Sequence, residues 1–206
     1  MDIKLNNTTS KSYKKEICRK SLHLSSLWMP ILIYFVPKMY AAGVFAFILL
    51  ADFCMEYGNY KKNKIAQKLF RIFSFILRKR EMQKQKLTFT GSIYVLMSAL
   101  ICTLIFPKNI AVISLAVMLV SDTFAALVGK AFGMHKIYQN KSIEGSLAFF
   151  VSAVLIMFIC RSLYPFSAVC VFACLIATLV ELFENLIKID DNLSIPLCIG
   201  AILSLL

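Results

Sequence analysis

Seven apolar stretches, separated by charged or turn-forming segments, divide the chain: Leu22 to Val36, Tyr40 to Tyr57, Gly91 to Phe106, Ile110 to Gly129, Ser146 to Leu163, Phe166 to Ile187 and Leu193 to Leu206. An upright helix needs about 20 apolar residues to cross the hydrocarbon core, so several of these are short. The last, at about 1.5 Å per residue, reaches only some 21 Å and is expected to be tilted, truncated or partly spanning. The pattern predicts an all-α, polytopic membrane protein with about seven transmembrane helices, forming a single domain over residues 1–206.

Orientation follows from the cations, because cytoplasmic loops retain Lys and Arg during insertion. The arm of residues 1–21 carries Lys4, Lys11, Lys14, Lys15, Arg19 and Lys20, and the loop of residues 58–90 carries ten more cations from Lys61 to Lys86. Lys130, Lys136, Lys141 and Lys188 fall in the same alternate set, whereas Lys38, Lys108 and Arg161 fall in the other. Twenty against three predicts a cytoplasmic N-terminus and an outward C-terminus. Within the long loop, Ile65, Leu69, Ile72, Phe73 and Ile76 recur at helical spacing between basic residues. This predicts a basic amphipathic helix lying on the inner leaflet and binding anionic lipids.

Composition sharpens the class. A hydrophobic content of 59% and a mean hydropathy of +0.74 are too apolar for a soluble domain of 206 residues. The net charge of +12 is interleaved with apolar runs, which favours a lipid surface or a phosphorylated substrate and argues against nucleic acid. The seven cysteines show neither C-x-x-C nor Cys/His spacing and read as buried free thiols. About twenty polar residues precede the first apolar run, with no small-residue cleavage site behind it, so that run is expected to remain in the mature protein.

All eleven acids fall in predicted cytoplasmic segments or in the inner half of a span. A charge at mid-membrane costs roughly 3 kcal/mol, less near the interface, so Asp52, Asp122, Glu181 and Glu184 together point to a polar site inside the bundle. Asp52 or Glu56 alone is equally explained by snorkelling to water. Asp122 opens the run Ser121-Asp-Thr-Phe-Ala-Ala-Leu-Val-Gly129-Lys-Ala-Phe-Gly133, in which Asp122, Ala126 and Gly129 share a helical face suited to close approach. Lys136 and Lys141-Ser142-Ile-Glu144-Gly145 follow, bringing cations, a hydroxyl and backbone amides that suit phosphate, beside carboxylates that suit Mg²⁺. Glu16, Arg19, Lys20 and His23 share one side of a helix entering the first span. His23 has the reference pKa of a general base, though a lone histidine at a membrane boundary is more often a hydrogen-bonded interfacial residue. Asp190-Asp-Asn192 reads as a tight polar corner. The chain lacks G-x-x-x-x-G-K-[ST], G-x-S-x-G and H-E-x-x-H, so soluble nucleotide-site templates do not apply.

Taken in order, Glu16-x-x-Arg19-Lys20-x-x-His23, Ser121-Asp122 through Gly129 and Gly133, Lys141-Ser-x-Glu144-Gly145, and Asp190-Asp-Asn-Leu-x-Ile-Pro196 resemble the CTP-dependent lipid-alcohol kinases, which include dolichol, phytol and diacylglycerol kinases. The resemblance implies transfer of the γ-phosphate of CTP to a lipid hydroxyl with Mg²⁺ or a related divalent ion. It also implies a cytoplasm-facing site in a bacterial inner or ER-type membrane, and a homodimer is a further expectation. On it, Asp122, Glu181, Glu184 and His23 are candidate catalytic residues. Arg19, Lys20, Gly129, Gly133, Lys136, Lys141, Ser142 and Gly145 are candidates for nucleotide and phosphate binding, and Asp122, Glu144 and Asp191 for metal. The central region is also similar to phosphatidate cytidylyltransferase, but that enzyme's C-terminal Lys-Asp and Pro-Gly-His-Gly-Gly signature is missing here, with Asp190-Asp-Asn192 in its place. Cytidylyl transfer is therefore the first alternative. A transporter or assembly protein is the second, and it would call for an acid in the outer half of some span.

Overall fold

The computed structural model describes residues 2–61, 63, 89–139 and 141–205. It is a helical bundle: α1 (Asp2–Ser25), α2 (Trp28–Phe35), α3 (Lys38–Tyr60), α4 (Gly91–Ile105), α5 (Lys108–Phe132), α6 (Ile143–Ile159), α7 (Ala168–Leu182), α8 (Glu184–Ile187) and α9 (Asp191–Leu205). The interfacial helix expected within residues 58–90 lies largely outside the described residues.

Proline sets several boundaries. Pro30 has no N–H to give the Ser26 carbonyl, and its ring would crowd that oxygen, so the first apolar stretch breaks between α1 and α2. Pro37 and Pro107 immediately precede the first helical residues of α3 and α5. The sixth stretch is also interrupted: Phe183 leaves helical geometry, and α8 ends in a left-handed Lys188 with φ 61°. That break turns the chain from Glu181 back toward Asp191.

The α5 helix is the axis. It is buried along most of its length and packs against α1, α2, α4, α6 and α9. Ile113, Leu115, Val117, Met118 and Leu119 from α5 join Phe45 of α3, Phe149 of α6, Ala173 and Cys174 of α7 and Ile195 and Ile199 of α9 in one apolar core. Buried hydroxyls in this core mostly bond their own helix, as Ser114 does to the Ile110 carbonyl and Thr178 to that of Cys174. Small residues set two tight contacts. A Cβ on Gly145 would stand 3.1 Å from the Ala125 carbonyl oxygen and 3.2 Å from Gly129 Cα, so α5 and α6 meet backbone to backbone. The contact stripe is Ala125 and Gly129, with Ala126, assigned to it from sequence, lying one residue round the helix. At the opposite end, Gly200 of α9 makes room for the Phe106 ring, which a Cβ there would meet at 2.2 Å.

Three segments, Lys38–Tyr60, Lys108–Phe132 and Ile143–Ser162, are long and apolar enough to cross a membrane, and α4, α7 and α9 are shorter apolar helices. The all-α expectation needs one correction. Between α5 and α6 the chain forms a small antiparallel hairpin, β1 (Lys136–Tyr138) and β2 (Lys141–Ser142), turning through Gln139 at φ 50°. Stretches this short carry no alternation in the sequence, and the hairpin is held from outside. Ile143 N–H donates to the His135 carbonyl at 2.9 Å, and the Tyr138 ring packs on Phe183 with centroids 5.9 Å apart.

Candidate functional site

At the end of the bundle where α1, α5, α7 and α9 meet the hairpin, charged side chains separated by up to 171 positions come together. Lys20 of α1 is 3% exposed and donates to the Asp122 carboxylate of α5, itself 6% exposed. His23, one turn further along α1, places Nε2 3.2 Å from the same Asp122 oxygen. The i, i+3 spacing read from the sequence thus delivers Lys20 and His23 to one carboxylate.

A second group adjoins the first. Lys141, carried by β2, donates to Glu181 of α7 and lies 3.7 Å from Glu184 of α8 and 4.0 Å from Asp191 of α9. Burial pushes the Lys141 ammonium toward neutrality, but the Glu181 and Asp191 carboxylates outweigh it and raise its pKa above the ordinary lysine value. The two groups share a field: Asp122 interacts with Lys141 and Glu181, and His23 with Asp191.

Several oxygens here are enclosed without a hydrogen-bonding partner. Glu181 Oε2, Asp191 Oδ1 and Asn192 Oδ1 have none among the described residues, and each residue is at least nine-tenths buried. Oxygens of Glu184, Asp190 and Asp191 lie within 4.8 Å of one another. An ion with ligands at about 2.1 Å holds opposing oxygens about 4.2 Å apart, so small side-chain adjustments close this set on a divalent cation. An enclosed Asp191 oxygen lacking a donor is the feature that sets this group apart from an ordinary acidic surface.

Asp190 precedes the first residue of α9 and caps it. Its carbonyl accepts from Leu193 N–H and Ser194 N–H at 3.0 Å, and its Oδ1 accepts from the Asn192 backbone at 3.1 Å and from Asn192 Nδ2 at 2.6 Å. The polar corner expected from sequence is present. Its residue types alone did not give it a part in the site, because capping explains Asp and Asn at such a position without any ligand; the resemblance gave one to Asp191.

Other sequence-derived candidates lie at the margin. Arg19 pairs with Glu16, which also reaches Lys130 of α5 at 3.6 Å. Burial works to raise the Glu16 pKa, yet Arg19 with Lys20 and Lys130 holds it below the usual glutamate value. Glu144 bonds the exposed His135 ring at 2.7 Å and is not part of the Glu184–Asp190–Asp191 group. Lys136 lies on the exposed β1 strand. Gly129, Gly133 and Gly145 surround the Ser142 hydroxyl, which accepts from Gly145 N–H at 3.2 Å and caps α6. Asp52 and Glu56 are held elsewhere: Ser92 donates to Asp52 at 2.7 Å, while the Thr90 backbone N–H at 2.9 Å and the Thr90 hydroxyl donate to Glu56.

The fold and site therefore define a helical bundle of membrane-spanning character with a buried carboxylate and lysine centre at one end. The chain belongs to the Cytidylyltransferase family, whose model matches residues 8–188. It is similar to an uncharacterized protein of Rickettsia prowazekii, 31% identical over 87% of this chain and 88% of the relative. It is also similar to CTP-dependent diacylglycerol kinase 1 of Schizosaccharomyces pombe, 27% identical over 95% of both chains. A probable chloroplastic phytol kinase of Triticum aestivum is 32% identical over 57% of this chain and 44% of its own length. No solved structure matches.

Proposed function

We propose that this protein is a CTP-dependent kinase that phosphorylates the hydroxyl of a membrane lipid alcohol. The observation that carries the reading is the convergence of four separated motifs, around Lys20 and His23, Asp122, Lys141, and Asp190 to Asn192, on one buried centre with unpartnered oxygens. The names of the diacylglycerol and phytol kinase relatives support it.

In this mechanism Glu184, Asp190 and Asp191 hold a divalent ion, with Glu181 beside them. That ion supplies charge neutralisation at the phosphoryl oxygens, the main requirement of phosphoryl transfer. Lys141 moves from its carboxylate contacts onto the phosphates, with Lys136 and Arg19 as outer cations. His23 has no hydrogen bond at Nε2 among the described residues, 3.2 Å from the Asp122 oxygen, and a small rotation on substrate binding lets Nε2–H donate to Asp122 and leaves the Nδ1 lone pair to take the hydroxyl proton. The lipid oxygen bonds to the γ-phosphorus, the bond to the β-phosphate oxygen breaks, and CDP departs. Lys20 fixes Asp122 within this arrangement. The seven-span topology, with its cation-rich and acid-rich side in the cytoplasm, lets CTP arrive from water and the lipid from the inner leaflet, where anionic lipids meet the basic loop.

The family's description favours one competing reaction, cytidylyl transfer to a phosphatidate-like lipid. Incubating the purified protein with γ-labelled CTP, Mg²⁺ and a panel of polyprenol, phytol-like, diacylglycerol and phosphatidate acceptors separates the two. Label in the lipid with release of CDP is expected. Label in pyrophosphate, with cytidine joined to phosphatidate, would replace the kinase reading.

A further inference from the structure

We infer that Asn192 determines nucleotide specificity by accepting a hydrogen bond from an amino group on the base; the inference rests on the CTP-dependent reading above. The orientation of its amide is fixed by chemistry. An ionised Asp190 carboxylate only accepts, so the contact at 2.6 Å requires the Asn192 NH₂ group on that side. Asn192 Oδ1 must then face the other way, enclosed and without a donor among the described residues. Asn192 is 7% exposed.

Its surroundings withhold donors. Pro196 lies four residues on and has no N–H to offer the Asn192 carbonyl, so the backbone oxygen lacks its helical partner as well. Across the seam, α4 presents Gly91, where a Cβ would stand in ordinary contact with Asn192 Nδ2 at 3.9 Å. Tyr94, one turn along α4, interacts electrostatically with Asp190 and packs edge-on against Phe89, with centroids 6.5 Å apart. A locked, enclosed acceptor without a donor among the described residues suits an exocyclic amine on the base.

Cytosine has a 4-amino donor at the edge where uracil has a carbonyl. Set against an enclosed carbonyl oxygen, the first makes a hydrogen bond and the second opposes two acceptors. The same Asn192 holds Asp190 through its NH₂ group, so it joins base reading to the orientation of a candidate metal ligand.

The test compares kcat/KM for CTP, UTP and a CTP analogue with hydrogen in place of the 4-amino group, in wild-type protein and in Asn192→Ala, with lipid alcohol saturating. Wild type is expected to prefer CTP to both by about tenfold or more, mainly through the nucleotide KM, and Asn192→Ala to lose most of that preference. Disturbance of Asp190 affects all three nucleotides alike and cancels in the ratio. An unchanged CTP/UTP ratio in the variant, or a shift confined to the lipid KM, overturns the inference. Equal use of CTP and the analogue by wild type overturns it independently of whether Asn192→Ala folds. In each of these results CTP-dependent phosphorylation itself stands. If no nucleotide supports lipid phosphorylation, the kinase reading fails and this inference with it.

Discussion

Replacing Asp122 with Leu separates what the Lys20–Asp122 pair does for the fold from what Asp122 does for the reaction. Lys20 is 3% exposed, so removing its carboxylate leaves an ammonium enclosed with only partial compensation. Breaking a buried pair from one side costs about 3–5 kcal/mol, whereas replacing both partners with apolar groups of similar size is often near neutral. Asp122→Leu is therefore expected to lose about 3–5 kcal/mol of stability, and Lys20→Met with Asp122→Leu to recover to within about 1 kcal/mol of wild type. Trp28, the one tryptophan, packs against Phe45 close to this end of α1 and reports equilibrium unfolding in detergent by its fluorescence. Activity should not recover in the double variant, because the group that orients His23 is still gone. A single-variant cost below about 1 kcal/mol would show that Lys20 is not trapped by its environment. A folded double variant that phosphorylated lipid would remove Asp122 from the mechanism.

Further outcomes follow from other contacts. Gly145→Ala places a Cβ 3.1 Å from the Ala125 carbonyl and 3.2 Å from Gly129 Cα, and overpacking of this kind costs about 1–3 kcal/mol, readable as a lower unfolding temperature. Gly200→Ala collides with the Phe106 ring, and Phe106→Leu in the same chain is expected to restore stability, since the colliding atom is a side chain. The Lys141 pKa is raised in the folded state, so its carboxylate contacts contribute fully below the unfolded lysine value of about 10.4 and are lost as pH rises through the higher folded value. The stability difference between wild type and Lys141→Met should thus stay level from about pH 7 to 10 and shrink above, a profile that chemical unfolding across that range measures. Chelation of divalent ions should abolish lipid phosphorylation, and Asp191→Asn should weaken Mn²⁺ binding measured by paramagnetic resonance without nucleotide. Unaltered Mn²⁺ binding in that variant would move the ion elsewhere.

Some of this was legible from the chain alone. The apolar pattern located α3, α4, α5, α6 and α9 to within a few residues because a membrane-length apolar run has few other uses, whereas α1 begins about twenty residues before the first apolar stretch. The prolines also carried boundary information, yet the break at Pro30 and the turn at Phe183 divide stretches whose hydropathy is continuous. Hydropathy records solvent preference, and these interruptions arise from a missing N–H and from local backbone geometry. Lys136 to Ser142 gave no strand signal, because the hairpin depends on His135, Ile143 and Phe183.

Residue type and order named most of the chemistry at the site: Asp122, Glu181 and Glu184 stood out because carboxylates near a membrane are costly, and Asp191 through the resemblance. Partnership could not be read in the same way. Lys20, expected on phosphate, holds Asp122, while Glu144, expected near metal, holds His135. Asn192 carried no signal beyond a favourable turn residue, and only the folded chain shows its amide locked by Asp190 with one oxygen enclosed. The sequence by itself determined which groups occupy the buried end, because hydrophobic cost is a property of each residue. Which charge meets which, and which oxygen is left without a donor, depended on helices distant in the chain packing around α5, and was decided by the tertiary structure alone.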